Sequence, residues 1–306
     1  YLGKEMVKNI YTLRFCNHFF SAMWNSSHIS SVQITFKETI GVTNRAGYFD
    51  SSGIVRDVMQ NHLMQILSII SMEPPASLNP NDIQDEKVKV LRCIKRPILD
   101  EHCVFGQYEG YQNEEGVQLN SNTPTFASVI FFIENERWNG IPFVLKCGKA
   151  LNESKAEIRI QLKDATTALR YFPEGEEIVR NELVIRVQPK EAIYLKLNLK
   201  RPGTFEYRTE VAELDLTYAS RFQGFRIPDA YESLILDIIN DDHSSFVRSD
   251  ELHEAWQIID SVVQHSESHP PILYAAGTRG PLQSDQLVQG LGKYKRHSRE
   301  YSWPKL

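Results

Sequence analysis

His62 lies in a segment whose residue pattern predicts a helix over residues 56–72. A helix advances by about 100° per residue, so the apolar side chains of this segment gather on one arc and the polar ones on the opposite arc. The apolar arc comprises Val55, Val58, Met59, Leu63, Ile66, Ile69 and Ile70, and the polar arc comprises Asp57, Asn61, Gln65 and Ser68. His62 falls within the apolar arc, near its polar border.

An imidazole in this position is partly desolvated, and its ordinary pKa is close to neutral pH. These are the properties that a general base requires. The same spacing also fits a core histidine whose ring is satisfied by hydrogen bonds, and taken alone it favours that interpretation. The rest of the sequence must therefore decide whether His62 is a catalytic residue.

Six sequence blocks decide in favour of catalysis, because they resemble successive blocks of the glucose-6-phosphate dehydrogenase family in the family's order. They are YLGKEMVKNI at 1–10, ITFKETIG at 34–41, GYFDSSGIVRDVMQNHLMQ at 47–65, NERWNGIPFVLKCGKALNESKAEIR at 135–159, NELVIRVQP at 181–189 and FVRSDELHEAW at 246–256. The resemblance covers essentially the whole chain.

The resemblance implies an NADP-dependent oxidoreductase of glucose metabolism. Enzymes of this family oxidise carbon 1 of glucose 6-phosphate to a lactone in the pentose phosphate pathway and transfer a hydride to NADP+. The C1 hydroxyl must then lose its proton to a base, and the DVMQNHL match gives that role to His62. The matched substrate contacts are Tyr1, Lys4, Glu38, Asp57, Lys149 and Gln188.

These residue types suit the roles that the resemblance implies. A lysine ammonium such as that of Lys4 is a compact positive charge for phosphate oxygens, and Tyr1 lies in the same block. The carboxylates of Glu38 and Asp57 can each accept several hydrogen bonds from sugar hydroxyls. The chain departs from mammalian-type members at Ser154, where they carry a phosphate-binding arginine.

The strands also resemble a second nucleotide site of the family, a structural NADP+ near the subunit interface. Lys155 and Arg159 are four residues apart in an alternating segment, so both leave the same face of a strand, roughly 13 Å apart. The matching positions are Lys146, Lys155, Arg159, Arg186, Tyr194, Lys196, Asp215, Thr217, Arg279 and Trp303. A basic face that only contacts solvent is the competing interpretation.

The resemblance also implies that a coenzyme domain is missing from these residues. In the family a dinucleotide-binding domain with a glycine-rich turn precedes the YLGKE block, and no GxGxxG pattern occurs here. We expect residues 1–306 to be the substrate-binding and oligomerisation domain. The aspartate that orients the histidine in the family lies just before Tyr1, so we also expect this chain to be inert alone.

Composition and charge exclude several other classes of protein. The net charge of −5 argues against a nucleic-acid partner, and no apolar run reaches the ~18 residues of a membrane span. The four cysteines are sparse and unpatterned, so they indicate neither a disulfide framework nor a zinc site. Residues 146–201 carry twelve Lys or Arg against eight Asp or Glu, a basic segment suited to phosphorylated ligands.

The order of the predicted elements indicates an α+β fold with a large, mainly antiparallel sheet and flanking helices. Helices are predicted over 3–15, 56–72, 83–94, 228–241 and 248–264. Strands are predicted over 31–37, 127–135 and 140–149, and in the segments EIRIQLK, NELVIRVQ, AIYLKLNLK and AELDLTY, which alternate with period two. Loops are predicted over 73–82, 107–124 and 265–271.

Two alternatives stay open at this point. One is a stand-alone NADP-binding or assembly module without catalysis. The other is the related hexose-6-phosphate dehydrogenase of the endoplasmic reticulum lumen, with which glycosylation sequons at Asn25 and Asn152 are compatible. The leading interpretation implies a cytoplasmic homodimer or tetramer that binds glucose 6-phosphate and NADP+, with no metal, nucleic acid or membrane as a partner.

Overall fold

Ten strands form one mixed sheet within residues 1–43, 45–167, 171–172, 178–203 and 208–296, which the computed structural model describes. The strands are β1 (Ile29–Lys37), β2 (Ile94–Lys95), β3 (Cys103–Tyr108), β4 (Phe126–Ile133), β5 (Pro142–Gly148), β6 (Lys155–Leu162), β7 (Glu182–Gln188), β8 (Ala192–Lys200), β9 (Thr209–Thr217) and β10 (Ile272–Tyr274). Their spatial order is β10-β3-β4-β5-β1-β6-β7-β8-β9, and β2 pairs with β4. The β1–β5 and β10–β3 pairs are parallel and the other pairs are antiparallel.

The helices precede, interrupt and follow the run of strands. They are α1 (Glu5–Phe15), α2 (His18–Met23), α3 (Ala46–Ile54), a π-helical segment (Val55–Leu63), α4 (Met64–Ser71), α5 (Pro80–Leu91), α6 (Leu99–His102), α7 (Tyr218–Arg221), α8 (Ala230–Ile239), α9 (Ser249–Ser268) and α10 (Leu282–Gly290), with one short 3₁₀ turn at Tyr111–Asn113. The predicted α+β class is confirmed. In the described ranges, no helix has both the length and the apolar character needed to cross a membrane.

The two faces of the sheet differ because side chains alternate along each strand. On β1, Val32, Ile34 and Phe36 point into the main hydrophobic core together with α1, the π segment and α4. The side chain of Lys37 belongs to the opposite face, where its Nζ lies 3.1 Å from Glu153 Oε1. One strand therefore contributes to two different environments.

The helix predicted over 56–72 differs from the observed structure in two respects. Its first half is π-helical, and α4 is buried on every side between its neighbours α1 and α5. The polar arc is not a solvent-exposed face at Gln65 and Ser68, which are 7% and 0% exposed. The hydroxyl of Ser68 tolerates burial because it donates to the carbonyl of Gln65 at 2.8 Å.

The predicted loop over 265–271 is also wrong in its first half, because α9 continues to Ser268. The hydroxyl of Ser268 donates to the carbonyl of Gln264 at 2.7 Å within the last turn. The helix ends before His269, which has an extended backbone and is followed by Pro270. A residue that precedes proline disfavours the helical conformation, which fixes this end.

Two buried cations connect the helices around the site. Arg14 of α1 donates to the carbonyl oxygens of Ile69 and Met72 at 2.5 and 2.8 Å, so it caps the C-terminal end of α4. Lys87 of α5 lies 2.6 Å from Glu251 of α9, and both side chains are almost fully buried. Burial lowers the pKa of Arg14 to about 9, which leaves its guanidinium charged at neutral pH.

Candidate active site

The π segment that carries Asp57 and His62 is bounded by an unusual backbone. Gly53 has φ +66°, a left-handed value that glycine adopts without a Cβ penalty. The next amide, Ile54 N, donates out of the helix to Pro124 O at 3.0 Å. At the other end the amide of Met64 donates to Met59 O, five residues back, so the wide turn closes where α4 begins.

The ring of His62 packs against Tyr1. The two ring centroids are 4.7 Å apart with a tilt of 39°, and Tyr1 in turn meets the ring of Phe36 edge-on at 6.0 Å. Burial and, to a smaller extent, the amino group of Tyr1 lower the pKa of His62 to about 4, below the near-neutral value expected for a general base, so the imidazole is neutral at pH 7. Burial and the carboxylate of Glu38 raise the pKa of the Tyr1 hydroxyl, which therefore stays protonated.

Lys149 joins the two predicted sugar-binding carboxylates. Its Nζ lies 2.6 Å from Glu38 Oε2 and 3.9 Å from Asp57 Oδ2, and 5.3 Å from the centroid of the Phe49 ring. Its side chain is only 13% exposed. One cation therefore faces two carboxylates, which leaves acceptor oxygens available for hydroxyl groups.

The parallel pairing of β1 and β5 explains why Glu38 and Lys149 meet although 111 residues separate them. Each residue immediately follows its strand, and Lys37 lies opposite Gly148 in the register. The amide of Glu38 donates to Gly148 O at 3.0 Å, and Leu151 N donates back to Glu38 O at 2.8 Å. The strand register thus holds both side chains beside each other at the C-terminal ends of β1 and β5.

The other predicted substrate contacts lie at the margins of this group. The amide of Lys4 donates to Tyr1 O at 3.0 Å, which places Lys4 one turn from the aromatic residue and immediately before α1. Gln188 ends β7 and pairs with Ala156, which pairs with Phe36 on β1. Ser154, at the position of the missing arginine, accepts a hydrogen bond from Thr39 N at 3.0 Å.

The second predicted site lies on the opposite face of the sheet, where cations surround two buried carboxylates. Glu157 is contacted by Lys155 at 3.0 Å, Arg159 at 2.7 Å and Arg186 at 3.2 Å. Glu182 is contacted by Arg159 at 2.7 Å and Lys196 at 3.8 Å. Burial opposes the charge of Glu157, but these cations hold its pKa down to about 2.

The remaining predicted residues extend this face along the sheet. Lys146 and Arg279 both contact Asp285, at 3.4 and 3.2 Å. Tyr194 pairs with Asp215 across β8 and β9, and the hydroxyl of Thr217 donates to Asp215 Oδ2 at 3.3 Å. Trp303 lies outside the described residues.

We call the charged group on this face the cationic sheet cluster. It comprises Lys37, Lys146, Lys155, Arg159, Arg186, Lys196 and Arg279 with the carboxylates Glu153, Glu157, Glu182 and Asp285. Seven positive groups thus meet four carboxylates in this cluster, and Glu213 and Asp215 of β9, which pair with Lys196 and Tyr194, bring two more carboxylates to the same face. Lys155 and Arg159 contact the same oxygen of Glu157, so their charged ends lie much closer together than the predicted spacing along the strand.

Sequence reasoning missed the carboxylates and Lys37 of this cluster. The signal for Glu157 was present, because it lies two residues from both Lys155 and Arg159 and shares their face of the strand. Glu182 belongs to the same row through its pairing with Lys196 on β8. Opposite charges placed across neighbouring strands stabilise the sheet, and this pattern is readable once the strand order is known.

Comparison with known proteins identifies the family of this chain. The family model described as "Glucose-6-phosphate dehydrogenase, C-terminal domain" matches residues 11–303. The glucose-6-phosphate 1-dehydrogenase of Dictyostelium discoideum is 52% identical over 99% of this chain and 62% of that protein. The cytoplasmic isoform of Solanum tuberosum is 50% identical over 99% of this chain and 58% of that protein.

Two solved structures share the fold. A glucose-6-phosphate dehydrogenase in complex with its substrate glucose 6-phosphate is 44% identical, with a TM-score of 0.87, over 99% of this chain and 62% of that one. The enzyme from Mycobacterium avium is 31% identical, with a TM-score of 0.83, over 99% and 63%. The chain thus spans less than two thirds of the length of these relatives. From the family match and these identities, the chain belongs to the glucose-6-phosphate dehydrogenase C-terminal domain family.

Proposed function

We propose that this chain is the substrate-binding part of an NADP-dependent glucose-6-phosphate dehydrogenase. The enzyme oxidises carbon 1 of glucose 6-phosphate to 6-phosphogluconolactone in the pentose phosphate pathway. The observation that carries the proposal is the neutral imidazole of His62, packed on Tyr1, near a lysine that two carboxylates share. A relative of known structure with glucose 6-phosphate bound supports the choice of substrate.

His62 acts as the general base in this proposal. Its neutral ring accepts the proton of the C1 hydroxyl, while the C1 hydrogen leaves with the bonding electron pair and the C1–O bond becomes a carbonyl. NADP+, when bound, supplies the hydride acceptor. The packing against Tyr1 restrains the plane of the ring.

The surrounding charges bind and orient the sugar phosphate. Glu38 and Asp57 accept hydrogen bonds from the sugar hydroxyls, and Lys149 prevents the two carboxylates from repelling each other. Lys4 and Tyr1 contact the phosphate from the turn before α1, and Gln188 contributes an amide at the end of β7. These assignments transfer from the family resemblance and agree with the observed neighbourhood of Tyr1, Glu38 and Lys149.

The cationic sheet cluster is the proposed second NADP+ site. Its positive charge fits a dinucleotide, whose phosphates are anionic, and the buried ring of Tyr194 pairs with Asp215 on the same face. Lys155, Arg159, Arg186 and Lys196 would hold the phosphates, with Lys146, Thr217, Arg279 and Trp303 around them. The bound nucleotide would relieve repulsion among these cations and stabilise the sheet.

We further propose a homodimer or tetramer in the cytoplasm. Apolar side chains on β9 and α8 are strongly exposed, among them Leu214 at 68%, Tyr231 at 80% and Ile239 at 73%. Exposed apolar surface of this kind is typical of an interface. The plant relatives named as cytoplasmic isoforms support the location.

Turnover of glucose 6-phosphate by the full-length gene product tests the proposal. We expect NADPH formation that requires both glucose 6-phosphate and NADP+, and we expect no turnover from residues 1–306 alone. Absence of turnover by the full-length protein, together with an NADP+-dependent rise in its melting temperature, would favour the stand-alone binding module instead.

A further inference from the structure

The side-chain amide of Asn61 bridges the two residues of the π segment that the proposed function uses. Its Nδ2 donates to the backbone carbonyl of Asp57 at 3.0 Å, and its Oδ1 accepts from the backbone N–H of His62 at 2.5 Å. One exposed side chain therefore connects the peptide groups of the proposed sugar-binding carboxylate and the proposed base.

The spacing of Asp57 and His62 gives this bridge its importance. The two residues are five apart, and in an α-helix residues five apart point about 140° away from each other. In a π-helix the ladder bond joins residues five apart, so they lie one turn apart on a common face. The wide turn is thus what lets Asp57 contact Lys149 while His62 packs on Tyr1.

The wide turn needs a local cause, because an α-helical ladder is the ordinary state of such a segment. Side chains that bond the carbonyl four residues back compete with that ladder, and groups inserted into it bend or widen helices. Asn61 makes such a bond to Asp57, and it also receives the N–H of the next residue. Within the described residues, Asn61 is the one side chain whose hydrogen bonds join these two peptide groups.

We propose that Asn61 is a positioning residue, which pins the wide turn between Asp57 and His62 and so keeps both side chains facing one substrate. The inference rests on the proposed function for its catalytic consequence, but the geometric part stands on the hydrogen bonds. Asn61 acts through the backbone of its neighbours and does not itself touch the substrate.

Three variants of the full-length protein test this role by kinetics. Asn61→Ala removes the bridge and is expected to lower kcat by tenfold to a hundredfold. Asn61→Ser, whose hydroxyl can still bond the carbonyl four residues back, is expected to recover part of that loss. The matched control is Gln257→Ala, which removes another exposed amide that contacts a side chain one turn back on α9, and it is expected to keep the wild-type kcat.

Thermal melting separates positioning from folding. Ala is the better helix former, and position 61 is exposed, so Asn61→Ala is expected to melt at or above the wild-type temperature while its kcat falls. The proposal is contradicted if Asn61→Ala lowers the melting temperature as well as kcat and Asn61→Ser recovers neither. A wild-type kcat in Asn61→Ala also contradicts it.

A crystal structure of Asn61→Ala decides the geometric part without reference to activity. The proposal expects the wide turn to move away from residues 57–62, so that the ring of His62 leaves Tyr1 or Asp57 leaves Lys149. An unchanged wide turn and unchanged contacts overturn the inference. If the wild-type protein shows no turnover, the proposed function fails, and this structure still decides the role of Asn61.

Discussion

The two faces of the central sheet hold their carboxylates in different surroundings. Beside His62, one lysine serves two carboxylates, and both carboxylate side chains are partly exposed, Glu38 at 29% and Asp57 at 24%. In the cationic sheet cluster, cations outnumber carboxylates, and the side chains of Glu157 and Glu182 are 1% and 0% exposed. The first arrangement offers acceptors to hydroxyl groups, whereas the second offers a surplus of cations to anionic groups.

The comparison teaches that one set of strands can build both environments, because neighbouring residues of a strand point to opposite faces. On β1, Phe36 contacts Tyr1 while Lys37 belongs to the cationic sheet cluster. On β6, Ala156 belongs to the core while Lys155 contacts Glu157. Substitutions on the two faces should therefore affect different properties, catalysis on one face and stability or nucleotide binding on the other.

The largest expected effect is catalytic and comes from His62→Gln. Glutamine keeps a polar side chain at this position but cannot take up a proton at neutral pH, so we expect kcat of the full-length enzyme to fall by roughly 10²- to 10⁴-fold. Steady-state kinetics measures the fall, with His253→Gln on the exposed surface of α9 as the control. A His62→Gln enzyme with wild-type kcat would remove His62 from the mechanism.

The next effect is on stability and comes from Glu157→Gln on the other face. Loss of one partner of a buried pair costs about 3–5 kcal/mol, and we expect the lower end of this range, because Lys155 keeps Glu153 and Arg159 keeps Glu182. Urea unfolding of the chain measures the loss. We expect saturating NADP+ to reduce it, because the phosphates replace the missing negative charge.

Glu38→Gln provides the matched comparison for Glu157→Gln. The Glu38 side chain is 29% exposed, so its pair with Lys149 should contribute no more than about 1 kcal/mol to stability. A stability loss at Glu38 as large as that at Glu157 would contradict the distinction between the two faces. The KM for glucose 6-phosphate, by contrast, should rise in Glu38→Gln alone.

The stability of the chain should depend on pH through His62. The folded-state pKa of His62 is about 4 and its ordinary value is 6.5, so the unfolded chain binds the proton more readily. Stability is then unaffected above about pH 6.5 and decreases as the pH falls toward 4, by up to about 3 kcal/mol. Urea unfolding of wild type and His62→Gln across this range should show the difference, and parallel curves would contradict it.

The smallest effect concerns Lys146→Arg in the cationic sheet cluster. Arginine keeps the charge and can contact Asp285 through two N–H groups, so the change in stability should remain within about 0.5 kcal/mol. The informative measurement is the NADP+-dependent shift in melting temperature, which we expect to increase slightly. An unchanged shift would place Lys146 outside the nucleotide site.

The sequence predicted the elements that have a clear period. The segment AIYLKLNLK coincides with β8 (Ala192–Lys200), since its alternation is undisturbed. The short strands β3 and β10 were missed because short apolar runs do not distinguish a strand from a helix. The helices α3 and α10 were missed because nine residues with many polar or small side chains show no clear helical period. The π segment was predicted as an ordinary helix, because its departure depends on Gly53 and on the side-chain bonds of Asn61.

The site was predicted from matched residues, but its geometry was not readable from the chain. Glu38 and Lys149 meet only through the parallel pairing of β1 and β5, and strand pairing depends on partners far apart in sequence. The burial of Glu157 and Glu182 among these cations is not readable from the sequence, because it depends on the pairing of β6, β7 and β8. The arrangement of the site residues is thus determined by tertiary contacts, which local sequence patterns do not show.

Arg14 ties together the two walls of the proposed pocket at their far ends. Tyr1 precedes α1 and His62 precedes α4, while Arg14 fastens the last turn of α1 to the last carbonyls of α4. Because the two helices are joined at these ends, a tilt of either helix changes the distance between the rings of Tyr1 and His62 at the other ends. Substitution of Arg14 should therefore weaken substrate binding under conditions in which the chain is still folded.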